Sequence, residues 1–234
     1  MRLKNAMKVE KLFDGVFRID GKLATVNLVG GKKVYDEDLV TVDGIEYRTW
    51  NPYRSKLAAA IVNGMKRLAI KEGSKVLYLG AATGTTASHV SDIVGANGSV
   101  YAIEISERSM RDLLMVCESR ENIFPILADA RNVGKYADDT GTADVVYEDI
   151  ASPDQAEILL RNADLLKGGG IAYVAIKSQS IDISKKPSEV FKEFLQKVSA
   201  GFDLAQSIEI EPFDRMHLFV VLKKKGASEK AGKL

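Results

Sequence analysis

Residues 76–90 read VLYLGAATGTTASHV, and the fold is decided by how this stretch is read. An apolar run stops at Gly80, small residues follow, and Thr85 and Thr86 open a helical pattern. A strand that runs through a glycine loop into a helix is a common holder for nucleotide-like ligands, because the loop lets a ligand approach the main chain. The spacing is not the dinucleotide fingerprint, since Ala82 takes the place of the second glycine. It is not a P-loop either, since no lysine follows Gly84. The loop therefore lacks the usual equipment for a diphosphate.

Working outward, apolar runs at 75–79, 99–105, 123–128, 143–149 and 170–177 alternate with helical patterns near 54–69, 84–94, 107–119, 153–166 and 187–199. Near-continuous apolar strands separated by helices predict a buried parallel sheet of βαβ units. Ser55 is a candidate cap for the first helix, and Ser152-Pro153-Asp154-Gln155 has capping-box spacing. The segments 204–211 and 217–223 read as a final strand pair, with an antiparallel last strand. Before residue 52 the texture differs. Short β-like runs at 15–19, 23–29, 39–42 and 45–50 are broken by Asp20-Gly21, Gly30-Gly31 and Asp43-Gly44, which is hairpin chemistry. The expected division is a small antiparallel β domain over 1–51, an α/β domain over 52–224 and a basic flexible tail over 225–234.

In an open α/β sheet, ligands collect at the carboxyl ends of the strands, at the switch point of strand order. Those ends carry Gly80, Glu104, Asp129, Asp149 and Lys177. Glu104 lies 24 residues after Gly80, well placed to accept hydrogen bonds from ribose hydroxyls, and Asp129 is placed to accept from an adenine amino group. A cofactor with ribose and adenine but no phosphate fits, and S-adenosyl-L-methionine is such a cofactor. A nicotinamide-dependent reductase is the competing reading, which the broken fingerprint disfavours.

Composition narrows the classes further. The chain of 234 residues is 46% hydrophobic and 28% charged, with a net charge of +1, which is ordinary for a globular protein and not the charge of one that grips nucleic acid unaided. The single cysteine, Cys117, excludes an internal disulfide and is expected to be a buried, inert thiol. With only His89 and His217 as imidazoles, no metal site is expected. No signal-peptide core or membrane-length apolar run is present, so a cytoplasmic protein with no membrane partner is expected.

Five segments, 50-WNPYRSKLAAAI-61, 78-YLGAATGTTASHVSDIVG-95, 145-VVYEDIASPDQAEILLRNA-163, 176-IKSQSIDIS-184 and 211-EPFDRMHLFVV-221, together resemble archaeal fibrillarin, a guide-RNA-directed ribose 2′-O-methyltransferase family. The resemblance covers nearly the whole chain. It implies a Rossmann-like class I S-adenosylmethionine-dependent methyltransferase fold with a seven-stranded, mostly parallel sheet. It also implies cofactor contacts at the Gly80-Ala81 turn, Thr85-Thr86, Glu104-Ile105, Asp129-Ala130 and Asp149-Ile150-Ala151-Ser152. The family's catalytic Lys, Asp, Lys and His fall on Lys56, Asp149, Lys177 and His217. Of these, Lys177 is expected to handle the proton, Asp149 to orient, Lys56 to act as electrostatic partner or phosphate contact, and His217 to support the site. A lysine acts as base only if burial or a neighbouring cation lowers its pKa. The implied partners are a C/D-box guide RNA with its rRNA or tRNA target, a Nop-type coiled-coil scaffold and an L7Ae-type kink-turn-binding protein.

The chain departs from the family's pattern at Ile105, where an aromatic is usual, at Ser152, where glutamine is frequent, at Gln179, where a basic residue is frequent, and at Met216, where an acid often precedes the histidine. Alternatives within reach of the same residues are a stand-alone RNA ribose methyltransferase, a protein methyltransferase and a non-catalytic subunit of an RNA particle.

Overall fold

The computed structural model describes residues 7–226, so the basic tail, beyond Gly226, lies outside the described residues. The first five strands, β1 (Val9–Phe13), β2 (Val16–Ile19), β3 (Lys22–Val26), β4 (Leu39–Val42) and β5 (Ile45–Thr49), form an antiparallel sheet in the order β1-β2-β3-β5-β4. Asp20-Gly21 and Asp43-Gly44 turn its hairpins as expected, each pair at positive φ. Gly30-Gly31 does not: it lies in the long connection from β3 to β4, because the 23–29 run leaves the sheet after Val26.

Helix α1 (Lys56–Val62) follows, capped by the Ser55 side chain, which accepts from Ala58 N. It is shorter than the 54–69 pattern predicts. Asn63 ends it, donating its side-chain amide to the main-chain oxygens of Glu209 and Glu211 at 2.8 Å each, and Gly64 at φ +95 turns the chain away. Then come β6 (Lys75–Leu79), α2 (Thr85–Val94), β7 (Ser99–Glu104), α3 (Glu107–Cys117), β8 (Ile123–Leu127), α4 (Ala137–Thr140), β9 (Ala143–Glu148), α5 (Gln155–Asn162), β10 (Leu166–Lys177), α6 (Ser178–Ile181), α7 (Pro187–Val198), β11 (Phe202–Glu209) and β12 (His217–Lys224).

The large sheet has seven strands in the order β11-β12-β10-β9-β6-β7-β8, with β12 antiparallel to both neighbours and the run β10-β9-β6-β7-β8 parallel. This is the Rossmann-like arrangement predicted. Alternate residues of β6 face opposite cores: Val76 and Tyr78 pack in the cluster containing Ile61, Val90 and Leu113, and Leu77 and Leu79 pack in the one containing Leu159 and Phe194. The chain runs from β6 outward through β7 to β8, then returns to the other side of β6 as β9. The switch point therefore lies between the carboxyl ends of β6 and β9, where Gly80 and Asp149 sit.

Helix α2 ties the two sheets together. Arg48 of β5, fully buried, donates to Glu37 at 2.9 and 2.7 Å and to Asp92 of α2 at 2.8 Å. Arg120 reaches the other oxygen of Asp92 at 2.7 Å, Thr25 donates to Asp92 at 2.7 Å, and Leu28 N does so at 3.0 Å. Two guanidiniums and two carboxylates leave the cluster neutral. His89 beside them is held neutral, its pKa pushed well below the ordinary value first by burial and then by Arg48 and Arg120. With the Thr25 hydroxyl proton committed to Asp92, Nδ1 of His89 is the donor to Thr25 at 2.8 Å, and Nε2 accepts from Tyr35 at 2.6 Å. Trp50 stacks on the same ring at 4.7 Å.

Candidate active site

Gly80 ends β6 at φ +82, and a Cβ there would stand 2.9 Å from the main-chain oxygen of Asp149, so only glycine lets the loop lie against the end of β9. The cleft beside it has a volume of about 310 Å³. It gathers most of the expected cofactor residues, from the ends of four strands: Gly80, Glu104, Ile105, Asp129, Ala130, Asp149, Ile150, Ala151 and Ser152, with Lys177 from a fifth. Ala82, Ile103, Ala128, Arg131 and Ile158 also form its walls.

The expected threonine clasp is arranged differently. Ala81, Thr85 and Thr86 are not on the cleft wall. Thr86, in the first turn of α2, donates instead to Ser55, the cap of α1, at 3.0 Å. That bond links the glycine loop to Lys56.

Glu104 accepts from Ala82 N through one oxygen and from Ser106 N through the other, each at 2.8 Å. This fixes the carboxylate and leaves lone pairs on both oxygens for a pair of vicinal hydroxyls. Arg131, the one arginine of the cleft, is clamped on Asp129 through Nε at 3.0 and 2.9 Å and through its fork at 2.7 Å. The same contacts hold the Asp129 carboxyl below its ordinary range. Arg131 and Lys177 are each paired with a carboxylate of the same cleft, Asp129 and Asp149, which leaves Glu104 as an excess negative charge on the wall and suits a nucleoside carrying a positive sulfonium rather than a diphosphate.

Three of the four expected catalytic groups converge directly. The Lys56 and Lys177 ammoniums lie 3.1 and 2.8 Å from the same oxygen, Oδ1 of Asp149. Both stand off the axis of a good hydrogen bond to it. Their hydrogen bonds go to Oδ2 from Lys56 at 3.2 Å and to the main-chain oxygen of Asp149 from Lys177 at 2.9 Å. All three side chains keep a sixth or so of their surface open. His217 joins through an unforeseen residue, Asp214. Its carboxylate lies 2.8 Å from His217 Nδ1 and 3.6 Å from Lys56 Nζ. The acid absent at Met216 is thus supplied two residues earlier in the chain, and the segment 211-EPFDRMHLFVV-221 already contained that signal.

A second unforeseen residue is Gln155. Ser152 does not cap α5 as expected: its hydroxyl accepts from Asp154 N, and Asp154 occupies the cap without a side-chain bond. Gln155 is instead fully buried, donating to Ala175 O at 2.8 Å and accepting from Lys177 N at 3.3 Å, so it holds the strand end that carries Lys177.

Beside Asp149, Glu148 is fully buried between Leu79 and Val174 in register, and neither of its oxygens has a partner among the described residues. Burial first, then the charge of Asp149, pushes its pKa well above 4.5. A carboxyl that binds its proton more tightly folded than unfolded stabilises fully below the unfolded pKa, and that contribution fades as pH rises. Glu148→Gln is expected to remove this decline. In urea melts from pH 5 to 8, wild type should lose stability relative to the variant by up to about 1.4 kcal/mol per pH unit. Parallel curves would contradict the assignment.

With this geometry in place, comparison with known proteins is informative. The family model described as Fibrillarin matches residues 7–226. A fibrillarin-like rRNA/tRNA 2′-O-methyltransferase of Methanocaldococcus jannaschii is 48% identical over 222 residues, 92% of this chain and 96% of the relative. The crystal structure of Aeropyrum pernix fibrillarin with natively bound S-adenosyl-L-methionine superposes with a TM-score of 0.85 at 45% identity, covering 92% of this chain and 97% of that one. A fibrillarin/Nop5p complex superposes with a TM-score of 0.85 at 38% identity, covering 92% of this chain and 100% of that one. Matched from Met7 to Gly226 and in both its sheets, the chain belongs to the fibrillarin family.

Proposed function

We propose that the chain transfers the methyl group of S-adenosyl-L-methionine to ribose 2′-hydroxyls of rRNA and tRNA. The target nucleotide is chosen by a C/D-box guide RNA inside a ribonucleoprotein. The observation that carries this is the convergence of Lys56 and Lys177 on Asp149 at the mouth of a cleft with two strand-end carboxylates. The relatives' names and the cofactor-bound fibrillarin support the same chemistry.

When bound, the cofactor supplies an electrophilic methyl on a positive sulfur. The chain's part is to set the nucleophile in line and manage its proton. Asp149 faces that positive charge and orients Lys177. Only in its uncharged amine form would Lys177 take the 2′-hydroxyl proton as the O–C bond forms and the C–S bond breaks, the C–S electron pair staying on sulfur. Lys56 and His217, joined by Asp214, hold the ribose and its phosphate. Glu104 binds the cofactor's ribose, Asp129 its adenine, and Ala81, Thr85 and Thr86 of the glycine loop and its helix contribute further cofactor contacts. Residues 1–51 and 52–224 are the proposed architectural units.

The near-neutral charge suits a subunit that leaves sequence choice to base pairing. A Nop-type scaffold, supported by the fibrillarin/Nop5p complex, and an L7Ae-type kink-turn protein complete the proposed cytoplasmic particle. No helix of the described residues is long and apolar enough to cross a membrane.

The test is methyl incorporation into guide-matched RNA by the assembled particle, which should fall on the guided ribose alone. Guide-independent methylation of bare RNA at full rate and correct site by the isolated chain would refute the particle model. Separately, Glu104→Ala should weaken S-adenosyl-L-methionine binding at least about tenfold by calorimetry, through loss of charge-assisted hydrogen bonds.

A further inference from the structure

The residue before His217 holds a conformation that its side chain disfavours. Met216 lies in the left-handed region at φ +61. The other non-glycine residues with positive φ are Asp20 and Asp43, each in an Asp-Gly turn, and Ala82 of the glycine loop. Met216 has no short polar side chain to bond its own turn, so its backbone is strained and its neighbours must hold it. The holder is Ser178, the buried residue directly after Lys177. Its hydroxyl donates to Met216 O at 2.8 Å, and its main-chain N–H donates to the same oxygen at 3.3 Å. Gln179 adds a contact from its side-chain amide to Met216 Sδ at 3.3 Å.

This grip lies one residue beyond the last register pair of β10 and β12, Lys177 opposite His217. It closes a ring through the catalytic cluster. Ser178 adjoins Lys177 in the chain, and Met216 adjoins His217. His217 Nδ1 lies 2.8 Å from Asp214, Asp214 lies 3.6 Å from Lys56, and Lys56 and Lys177 share Asp149. Two acceptors face Nδ1 of His217 at 2.8 Å each, the Asp214 carboxylate and Arg215 O. Nδ1 therefore carries the proton, and Nε2 of the neutral ring is an acceptor. If Met216 relaxed to negative φ, the peptide that it shares with His217 would turn and take the imidazole away from Asp214.

We propose that Ser178 is a positioning residue of the methyl transfer: by gripping Met216 O it sets His217 and Asp214 against Lys56. The proposal rests on the RNA-methylating function above. A target nucleotide paired with its guide presents its sugar and phosphate rather than a free base. The groups that hold that sugar must then be placed by the protein. Ser178 is buried and acts only through the backbone of Met216, touching neither cofactor nor RNA.

The experiment has two arms, on Ser178→Ala and on Ser178→Cys, which fills the space but donates poorly. The first arm is nitrogen NMR of the full chain with labelled histidine. The chain has only two histidines, and buried His89 is the internal reference. Wild type should show the Nδ1–H tautomer at His217, and both variants should lose it. The second arm is methylation of guide-matched RNA by the assembled particle. Both variants should raise KM for the RNA about tenfold with a smaller change in kcat, because Asp149 and Lys177 keep their places. S-adenosyl-L-methionine affinity should stay at the wild-type value. Adding Met216→Gly, which takes positive φ without strain, should bring KM back to within about twofold of wild type.

A wild-type tautomer and KM in both variants, in a particle that methylates its guided target, would overturn the positioning role and leave the function standing. Loss of the tautomer with KM unchanged would overturn it too, since the pose of His217 would then not matter to the RNA. So would a raised KM that Met216→Gly does not relieve, because Ser178 would then act by another route. A wild-type particle that methylates no RNA would overturn the function, and the positioning role with it.

Discussion

Asp149→Ala is expected to lower kcat/KM for guide-matched RNA by at least about a hundredfold, the scale set by losing a preorganised electrostatic group at a reacting centre. The reason is local. Two ammoniums lie 3.1 and 2.8 Å from one oxygen of this carboxylate, which also lines the cleft proposed for the cofactor. Without the carboxylate, Lys56 and Lys177 repel each other and the sulfonium, so both the nucleophile's holder and its proton acceptor move. Lys177→Ala should cost a comparable factor. The double variant should be little worse than either single one, because the residues act as a unit. Single-turnover methylation at saturating cofactor separates this from weakened binding. Near-wild-type turnover by both single variants would refute the site.

Asp92→Ala is expected to destabilise the protein by about 3–5 kcal/mol, because it strips a counter-charge from buried guanidiniums. Arg48 and Arg120 each hold one oxygen of Asp92 at 2.8 and 2.7 Å, both side chains are essentially without solvent, and Glu37 alone would remain to balance them. For a chain of this size, a Tm drop of roughly 10 °C follows. Thermal melts check the magnitude. A drop of only a degree or two would mean that water or a rearranged Glu37 replaces the lost charge.

The central strands of the large sheet, such as β6 and β9, were legible because they are buried on both faces and therefore read as unbroken apolar runs. β1 was not, because its Val9–Phe13 residues are exposed or half-exposed and spell no pattern. The end of α1 was misjudged because Met65 and Ile70 stay buried after the helix stops, so the apolar spacing outlives the helix itself. Strand-end positions such as Glu104 and Asp149 could be read along the chain. Gln155 could not, since its role exists only where α5 meets β10; Asp214 stood in a segment already singled out, but its approach to Lys56 exists only where the start of β12 meets α1. The bond from Thr86 to Ser55 was not legible either, since small polar residues after a glycine loop suit a ligand clasp and a helix-to-helix bond equally.

Helix α2 places Ser88, His89, Ser91 and Asp92 in its interior, all nine-tenths or more buried. That composition belongs to a protein's outside. The small sheet therefore meets the large one through charge complementarity as well as through the apolar cluster that Val16, Leu23 and Trp50 share with Val90 and Ile93, and the junction has the character of a docking site made permanent by covalent linkage. A junction of that kind can be rebuilt only by changing Glu37, Arg48, Asp92 and Arg120 as a set, because exchanging Arg48 and Asp92 alone would bury like charges against Glu37 and Arg120.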